Sequence, residues 1–458
     1  MRKYIFLFIL FPLHSIYSQQ YMLETVVSGL SAPVVFTFMP NNNIIITQKT
    51  GFAKIYTLNN TLVDTFWNFT DSTYSGGEGG LIGVCLDPNY SSNHYIYFYY
   101  THNPNRYRVV RFTENNNKGT NPFIIFDDTP IFSTNHFAGN IHFGSDNKLY
   151  ISIGNNLVDS AAQSLHTFKG KILRINSDGT IPTDNPFYDD GNPHTGKDDR
   201  IWAYGLRNSF DFCFSPFNDS IYATENGDGD PDEINFIRKG KNYGYPICTG
   251  YCFPYNPLYQ NPMTEIPGNG FGDYAPTGIM IYTGNQMPEL FGKVIVVGYG
   301  AGQIFRGLLK CDLGNAPFND TIVSKTILMD ISGYTCLKQG SDGYIYLLSI
   351  DGGVLKRLKY DLTNVKNESI PSGFSLAQNY PNPFNPVTNI KFEILKSGFA
   401  VLKVYDVIGN EIATLVNEKK TAGSYGINWD ASNYPSGVYF YKLTIGEQSI
   451  QKKMVLIK

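Results

Sequence analysis

A short unit, a polar turn followed by an alternating apolar strand, recurs along the first 360 residues and constrains the possible folds strongly. In one copy, residues 145–153, Leu149, Ile151 and Ile153 would share one face of a strand. Six copies begin near residues 40, 87, 145, 215, 291 and 341. A spacing of roughly 50 to 75 residues is typical of propeller blades, which bury their faces against each other. The sequence therefore predicts an all-β, six-bladed β-propeller over residues 19–360, with a decorated β-sandwich as the alternative.

The two ends of the chain differ from the repeats. Residues 1–18 combine Arg2 and Lys3 with an apolar run too short to span a bilayer, which predicts a cleaved signal peptide. Residues 361–372 are polar and predict a linker. Residues 373–458 contain strand-like segments separated by turns, which predict a small immunoglobulin-like β-sandwich. No later segment is apolar for long enough to predict a transmembrane helix.

Charge and cysteine content narrow the classes of partner. The net charge of −3 gives no reason to expect a nucleic-acid partner or an anionic membrane surface. The chain has six cysteines, and export would permit disulfides. Cys248 and Cys252 flank a short loop that a disulfide could close, although six buried thiols are the equal alternative. No neighbouring Cys or His pair completes a four-ligand zinc site.

Two motifs near the second and third repeats carry candidate site residues. Residues 76–83 place five glycines around Glu78, which predicts tight backbone around one carboxylate, for a ligand or for a turn between blades. His136 precedes a strand at a blade rim, and the small residues 138–139 after it would leave room for a ligand. His142 lies within the strand and is expected to be packed.

Two further stretches carry charged residues. Arg207 and Asn208 stand at a rim and would suit binding of carboxylates or carbonyls. Residues 225–232 combine four carboxylates with glycines, which resembles a calcium loop chemically but lacks the spacing of an EF-hand. An acidic surface turn is the alternative. Lys171 and Arg174, in a predicted strand, are expected to face solvent.

Taken together and in this order, the motifs resemble the soluble glucose/sorbosone dehydrogenase family, whose members are six-bladed propellers, many of which use pyrroloquinoline quinone (PQQ) and calcium. The matching stretches are residues 77–83, 136–139, 143–146, 149–150, 170–174, 184–187, 205–208, 232–235 and 242–246. The resemblance covers roughly residues 21–358. It implies a secreted quinoprotein that oxidises aldose sugars at the anomeric carbon and passes electrons to an external acceptor of unknown identity.

The resemblance also implies roles for single residues. The family residue at the position of His136 is the general base, which takes the proton of the anomeric hydroxyl while hydride moves to the quinone. Arg207 matches a residue that contacts the cofactor or the oxygens where negative charge builds. The remaining matches are cofactor contacts at Glu78, Asn135, Arg207 and Asn208, and calcium-binding carbonyls at Gly227 and Asp228. The family commonly has Pro at the last of these positions.

Two departures from the family concern cations. Residues 298–301 stand where the characterised enzymes carry a Lys, and residues 333–336 stand where they carry an Arg-x-Arg pair. Those cations neutralise the carboxylates of PQQ, so their loss predicts weaker binding unless Arg306 or Lys338 substitutes. The alternative function is a non-catalytic secreted propeller that binds a glycan or a protein, as relatives of hedgehog-interacting protein do.

The C-terminal part resembles the type A sorting domain of the type IX secretion system. The matching stretches are residues 376–386, 405–409, 429–430 and 437–441, and the Lys-rich end. The resemblance implies that the signal peptide takes the chain into the periplasm and that the type IX machinery is a partner. The expected destination is the cell surface or the medium.

Overall fold

The computed structural model describes residues 21–103, 106–128, 133–189, 196–227, 229, 231–266, 274–300, 307–314, 319–361, 374–394, 398–421, 423–446 and 448–458. The predicted signal peptide, linker residues 362–372, Asp228 and Arg306 lie outside this part of the chain. The chain divides into two units, Met1–Asp361 and Leu362–Lys458.

The first unit consists of six four-stranded antiparallel sheets. Strand β1 (Tyr21–Val27) comes first in the chain. The first two sheets are β2 (Pro33–Phe38), β3 (Ile44–Gln48), β4 (Phe52–Tyr56) and β5 (Leu62–Asn68), then β6 (Leu81–Leu86), β7 (Tyr95–His102), β8 (Arg106–Asn115) and β9 (Lys118–Asp128). The third and fourth are β10 (Ala138–Phe143), β11 (Leu149–Ile153), β12 (Lys171–Ile175) and β13 (Ile201–Tyr204), then β14 (Phe212–Phe214), β15 (Ile221–Glu225), β16 (Asp232–Ile237) and β17 (Thr264–Ile266).

The fifth and sixth sheets complete the ring. They are β18 (Pro276–Ile281), β19 (Val294–Gly298), β20 (Leu308–Gly314) and β21 (Thr321–Met329), then β22 (Tyr334–Gln339), β23 (Ile345–Ser349) and β24 (Val354–Tyr360) with β1. Helical segments are short: α1 (Tyr90–Asn93) and 3₁₀ turns at Asp159–Gln163, Asp198–Arg200 and Pro288–Leu290. Tyr21 pairs with Tyr360 in antiparallel register, so the N-terminal strand finishes the last blade. The predicted six-bladed propeller is confirmed.

The recurring sequence unit forms the second strand of every blade. Strands β3, β11, β15, β19 and β23 are buried at every position. On β11, Leu149, Ile151 and Ile153 pack into one core cluster, while the Tyr150 ring packs at 5.1 Å from Phe214 of the next blade. Both faces of the strand are therefore covered, because each sheet lies between two neighbours.

The prediction that Lys171 and Arg174 face solvent is wrong. Lys171 is fully buried, and its Nζ donates to the carbonyl oxygens of Ala161 and Ala162 at 2.9 and 2.8 Å. Burial lowers the pKa of this ammonium. Arg174 is also buried and donates to the Asp184 carboxylate through two nitrogens, at 2.8 and 3.0 Å. Insertions of the third blade fold back over the strand and supply these acceptors.

The cysteines resolve into one bridge and four thiols. Cys248 and Cys252 form a disulfide, which closes the short loop. The thiols are Cys85, Cys213, Cys311 and Cys336. Burial raises the pKa of the Cys336 thiol to about 11, so it is uncharged at neutral pH.

The second unit is the predicted β-sandwich. One sheet contains β25 (Ser375–Leu376), β26 (Val387–Ile394) and β29 (Gly423–Asp430), and the other β27 (Gly398–Tyr405), β28 (Glu411–Lys420), β30 (Gly437–Ile445) and β31 (Gln448–Leu456). Tyr441 connects this core to residues 376–386, the first stretch that resembles the sorting domain. Its hydroxyl donates to the Ala377 carbonyl and accepts from the Asn379 amide, both at 2.8 Å. Among the described residues, no helix is long and apolar enough to cross a membrane.

Candidate active site

The candidate site lies at one end of the propeller, where innermost strands begin and second strands end. Antiparallel pairing brings these ends together, as in the third blade, where Ala138 at the start of β10 pairs with Ile153 at the end of β11. Segments just outside these ends carry the sequence-predicted residues. Those within the described chain are Glu78, Asn135, His136, Arg207, Asn208 and Gly227. Loops on a rigid scaffold are the usual place for binding residues.

A cavity of about 260 Å³ opens at this end of the propeller. Its polar lining residues are Lys49, Glu78, Asn208, Asn226, Thr277, Tyr299 and Thr335. Its apolar lining residues include Val34, Ile82, Phe210 and Ile350. An apolar cavity with a few convergent polar groups is typical of small-molecule sites. Glu78 and Asn208 therefore line the cavity as part of one site.

His136 does not line this cavity itself, but its backbone is bonded to Glu78, which does. Its amide donates to the Glu78 carboxylate at 2.8 Å, and its side chain is only slightly accessible, with a residue exposure of 8%. His136 and Ala138 have φ values of 59° and 51°, in the left-handed region that side chains rarely adopt. Such strain is concentrated at functional sites, where the surrounding structure enforces it.

Asn155 fixes the proton position on His136. The Asn155 Oδ1 lies 2.8 Å from His136 Nδ1 and also accepts from the Leu157 amide at 3.1 Å. The Asn155 Nδ2 donates to the Asp159 carboxylate at 2.8 Å, so the amide cannot turn around. Nδ1 must therefore carry the hydrogen, and Nε2 carries a lone pair. No described residue hydrogen-bonds to Nε2.

The charge state of His136 suits a base. Burial lowers the pKa of His136, and the neighbouring Arg207 guanidinium lowers it further. The imidazole is therefore neutral at pH 7, with the lone pair on Nε2 available to accept a proton.

Arg207 and Asn208 are positioned through the Glu225 carboxylate. Glu225 accepts hydrogen bonds from both backbone amides, at 2.9 and 2.5 Å. Asn208 Oδ1 accepts from the Ala138 amide at 2.9 Å, which connects the third and fourth blades. The Arg207 side chain donates to the Asn226 carbonyl at 3.0 Å. Arg207 does not line the cavity itself but borders a smaller adjoining pocket that also contains Gly227.

Two carboxyl groups of the acidic stretch, Glu225 at the end of β15 and Asp232 at the start of β16, make hydrogen bonds within the protein. Burial, with the nearby Glu233 carboxylate, raises the pKa of Glu225 to about 8. Asp232 accepts from the Gly227 and Ala275 amides at 2.9 and 2.8 Å. These carboxylates therefore bind protein donors rather than facing a ligand. Within the described ranges, no group of three or more His, Cys, Asp or Glu side chains could hold a metal.

Two expectations about the neighbourhood of these residues are corrected. The space beside Gly139 is not open to a ligand, because a Cβ there would lie 2.4 Å from Ile82 Cδ1. Its glycine is needed for packing between blades. Lys338 does not replace a missing cation, since it lines a separate cavity of about 690 Å³ with His142 and Cys85. His142 is half-buried: it lines that cavity, and its Nε2 lies 2.8 Å from the Asp211 carboxylate.

The structure brings forward residues that the sequence did not suggest. Tyr299 and Thr335, at the positions of the missing cations, line the cavity as neutral groups. Lys49, directly after β3, brings an ammonium to the cavity, and its Nζ donates to the Gly77 carbonyl. The only sequence feature that could have indicated Lys49 as a site residue is its place at the end of a repeated second strand. Asn135 is exposed beside His136 and does not line the cavity.

Known proteins match each part of the chain. The Glucose / Sorbosone dehydrogenase model matches residues 30–357, and the Secretion system C-terminal sorting domain model matches residues 378–458. The chain is 28% identical over 345 residues to an aldose sugar dehydrogenase of Escherichia coli, covering 71% of this chain and 89% of that protein. It is 29% identical over 300 residues to quinoprotein glucose dehydrogenase B of Acinetobacter calcoaceticus, covering 58% and 61%.

A solved structure has the same fold. The PQQ-bound aldose sugar dehydrogenase of Streptomyces coelicolor superposes with a TM-score of 0.62 at 22% identity, covering 75% of this chain and 99% of that one. The chain therefore belongs to the glucose/sorbosone dehydrogenase family of oxidoreductases and ends in a secretion-system sorting domain.

Proposed function

We propose that the chain is a secreted quinoprotein sugar dehydrogenase that oxidises aldose sugars at the anomeric carbon with PQQ and calcium. The observation that carries the proposal is His136, a neutral imidazole whose Nδ1 is bonded to Asn155 and whose backbone amide is bonded to Glu78, a residue that lines the cavity. The family match supports the reaction class. A binding-only propeller would not need this histidine to be held in a single tautomer.

The cavity lining fits a planar, carboxylate-bearing cofactor. Lys49 supplies a cation, and Asn208 and Asn226 supply amides. Val34 and Ile350 supply apolar walls against which a flat ring system can pack. Lys49 therefore compensates, in part, for the cations that the family carries at the positions of Tyr299 and Thr335. Lys49 would therefore be the residue that holds a carboxylate of PQQ.

In this proposal the reaction depends on proton removal by the chain. The His136 Nε2 accepts the proton of the anomeric hydroxyl, and Asn155 stabilises the imidazolium through the Nδ1 hydrogen bond. Arg207 stabilises negative charge on the substrate oxygen or on the cofactor. PQQ, when bound with calcium, supplies the hydride acceptor. The Gly227 and Asp228 carbonyls and the cofactor contacts at Glu78 and Asn135 remain assignments from family resemblance.

Delivery follows from the two ends of the chain. We propose that residues 1–18 direct export into the periplasm and are then removed. The sorting domain, matched over residues 378–458, would engage the type IX machinery for passage across the outer membrane. The enzyme would then act at the cell surface or in the medium, on sugars outside the cell.

Cofactor reconstitution tests the proposal. PQQ and CaCl₂ are added to the purified chain, and aldose oxidation is followed with an artificial electron acceptor. Saturable, calcium-dependent oxidation is expected, together with PQQ binding at micromolar concentration. Lys49→Gln should weaken PQQ binding by roughly tenfold or more, as loss of a charge-assisted contact does. Lys239→Gln, a change on an exposed lysine, is the control. Failure of the wild type to bind PQQ would instead favour the binding-only propeller.

A further inference from the structure

An exposed aromatic loop stands beside the candidate site. Residues 246–263, between β16 and β17, carry five large apolar side chains that point into solvent. They are Ile247, Tyr251, Phe253, Tyr255 and Leu258, with exposed fractions from 49% to 99%. Scattered exposed apolar residues are ordinary, but a cluster of this kind in one short segment marks a contact surface. We call this segment the aromatic loop.

The aromatic loop is held at its base by a disulfide and by hydrogen bonds, which keep its apolar side chains exposed. The Cys248–Cys252 disulfide closes its first turn. The Tyr251 amide donates to the Glu265 carboxylate at 2.7 Å, and the Gln260 amide donates to the Asn242 carbonyl at 2.7 Å. A pinned loop with aromatic side chains offers a large contact area at a low entropic cost on binding.

The loop is continuous with the candidate site. Cys248 and Thr249, at its start, line the same small pocket as Arg207 and Tyr245. The Arg207 guanidinium lies over the Tyr245 ring, 6.0 Å from its centre. The Tyr245 hydroxyl donates to Asp159, whose carboxylate holds Asn155. The loop therefore begins at the small pocket that Arg207 lines.

The chemistry of the loop favours a neutral sugar chain over a protein. Residues 242–264 contain no Asp, Glu, Lys, Arg or His. Protein interfaces place charged and polar residues around an apolar centre, whereas the nearest charges in the sequence are Lys241 and Glu265, at the two ends of this segment. A pyranose ring has one face of C–H groups that packs on an aromatic ring, while its hydroxyls bond to neutral amides. Asn256, Gln260 and Asn261 provide neutral amides in the same segment, each of which bonds within the loop through one of its two amide atoms.

We propose that the aromatic loop is a carbohydrate platform, which holds sugar units beyond the one being oxidised. The preferred substrate is then the reducing end of a neutral oligosaccharide rather than a free monosaccharide. This inference rests on the proposed function for the oxidised unit, but binding to the loop does not depend on catalysis. Phe253 and Tyr255 are its central rings, with exposed fractions of 99% and 70%.

Two measurements on the full chain test the platform separately from the reaction. Calorimetry measures binding of cellotetraose, maltotetraose and xylotetraose, each also in the borohydride-reduced form, which has no anomeric hydroxyl. The reconstituted enzyme is then assayed on each tetrasaccharide and its monosaccharide. We expect at least one tetrasaccharide to bind and to show a kcat/KM at least tenfold above that of its monosaccharide. Both advantages should be lost in the Phe253→Ala/Tyr255→Ala variant.

The control is Phe399→Ala, which removes an exposed ring from the sorting domain and should change neither measurement. Binding of a tetrasaccharide by a reconstituted chain that oxidises none of the unreduced sugars would support the platform and refute the proposed function. Equal kcat/KM for tetrasaccharides and monosaccharides, with no tetrasaccharide binding, would refute the platform and leave the dehydrogenase intact. Self-association that the double variant abolishes, without sugar binding, would also refute it, because the loop would then be a protein interface.

Discussion

Replacement of Asn155 by Leu should unlock the His136 tautomer and weaken the fold. The Asn155 side chain is fully buried and makes three hydrogen bonds, to His136 Nδ1, the Leu157 amide and the Asp159 carboxylate. Leu has a similar size but can make none of them. At about 1 kcal/mol for each net hydrogen bond, the free energy of unfolding should fall by about 2–3 kcal/mol. Nε2 would then carry the hydrogen in part of the population.

The consequence is measurable by two assays. Long-range ¹H–¹⁵N spectra of ¹⁵N-histidine-labelled protein should place the hydrogen on Nδ1 in the wild type and on both nitrogens in Asn155→Leu. The reconstituted rate should fall by about tenfold or more, because a general base protonated at its reactive nitrogen is inactive. Asn176→Leu is the control, since Asn176 bonds to Lys148 and Thr180 away from the site. A wild-type His136 protonated on Nε2 would refute the tautomer assignment.

Three further predictions concern buried charge and domain independence. The pKa of Glu225 is raised from 4.5 to about 8, so between these pH values the folded chain holds a proton that the unfolded chain releases. Stability should therefore fall as the pH rises through this range. Glu225→Gln should flatten the slope of melting temperature against pH, measured by thermal unfolding from pH 5 to 9. Lys171→Met should lower the free energy of unfolding by about 3 kcal/mol in denaturant titrations, because buried carbonyls lose their donor. Deletion of residues 373–458 should leave the propeller's thermal transition in place but abolish surface delivery, and normal display of the truncated chain would contradict this.

The part of the fold that the sequence predicted is the part with strong patterning. The second strand of each blade is short, apolar and preceded by a turn, so all six blades could be counted. The outermost strands lacked this signal. Strands β5 and β21 are largely exposed, and β28 lies at a sheet edge in the sandwich, so their residues need not alternate. Closure of the propeller depends on the pairing of β1 with β24, which are far apart in the sequence, and no local pattern indicates such a pairing.

The candidate site was predicted from sequence motifs, which indicate single residues but not the residues that they hydrogen-bond to. Glu78 and His136 came from separate stretches, and the structure joins them by one hydrogen bond. The role of Asn155 in the site could not be predicted, because an asparagine after a strand usually indicates a turn. Lys171 was misjudged because the period-two pattern indicates which face a residue occupies, not what covers that face. In a propeller both faces are covered.

The most direct test is His136→Ala in the reconstituted enzyme. The PQQ affinity and the aldose oxidation rate are measured together, since removal of a general base should reduce only the second. The rate is expected to fall by roughly a hundredfold or more, with PQQ binding largely retained. Full activity of His136→Ala in a chain that still binds PQQ would contradict the role of His136 as the base.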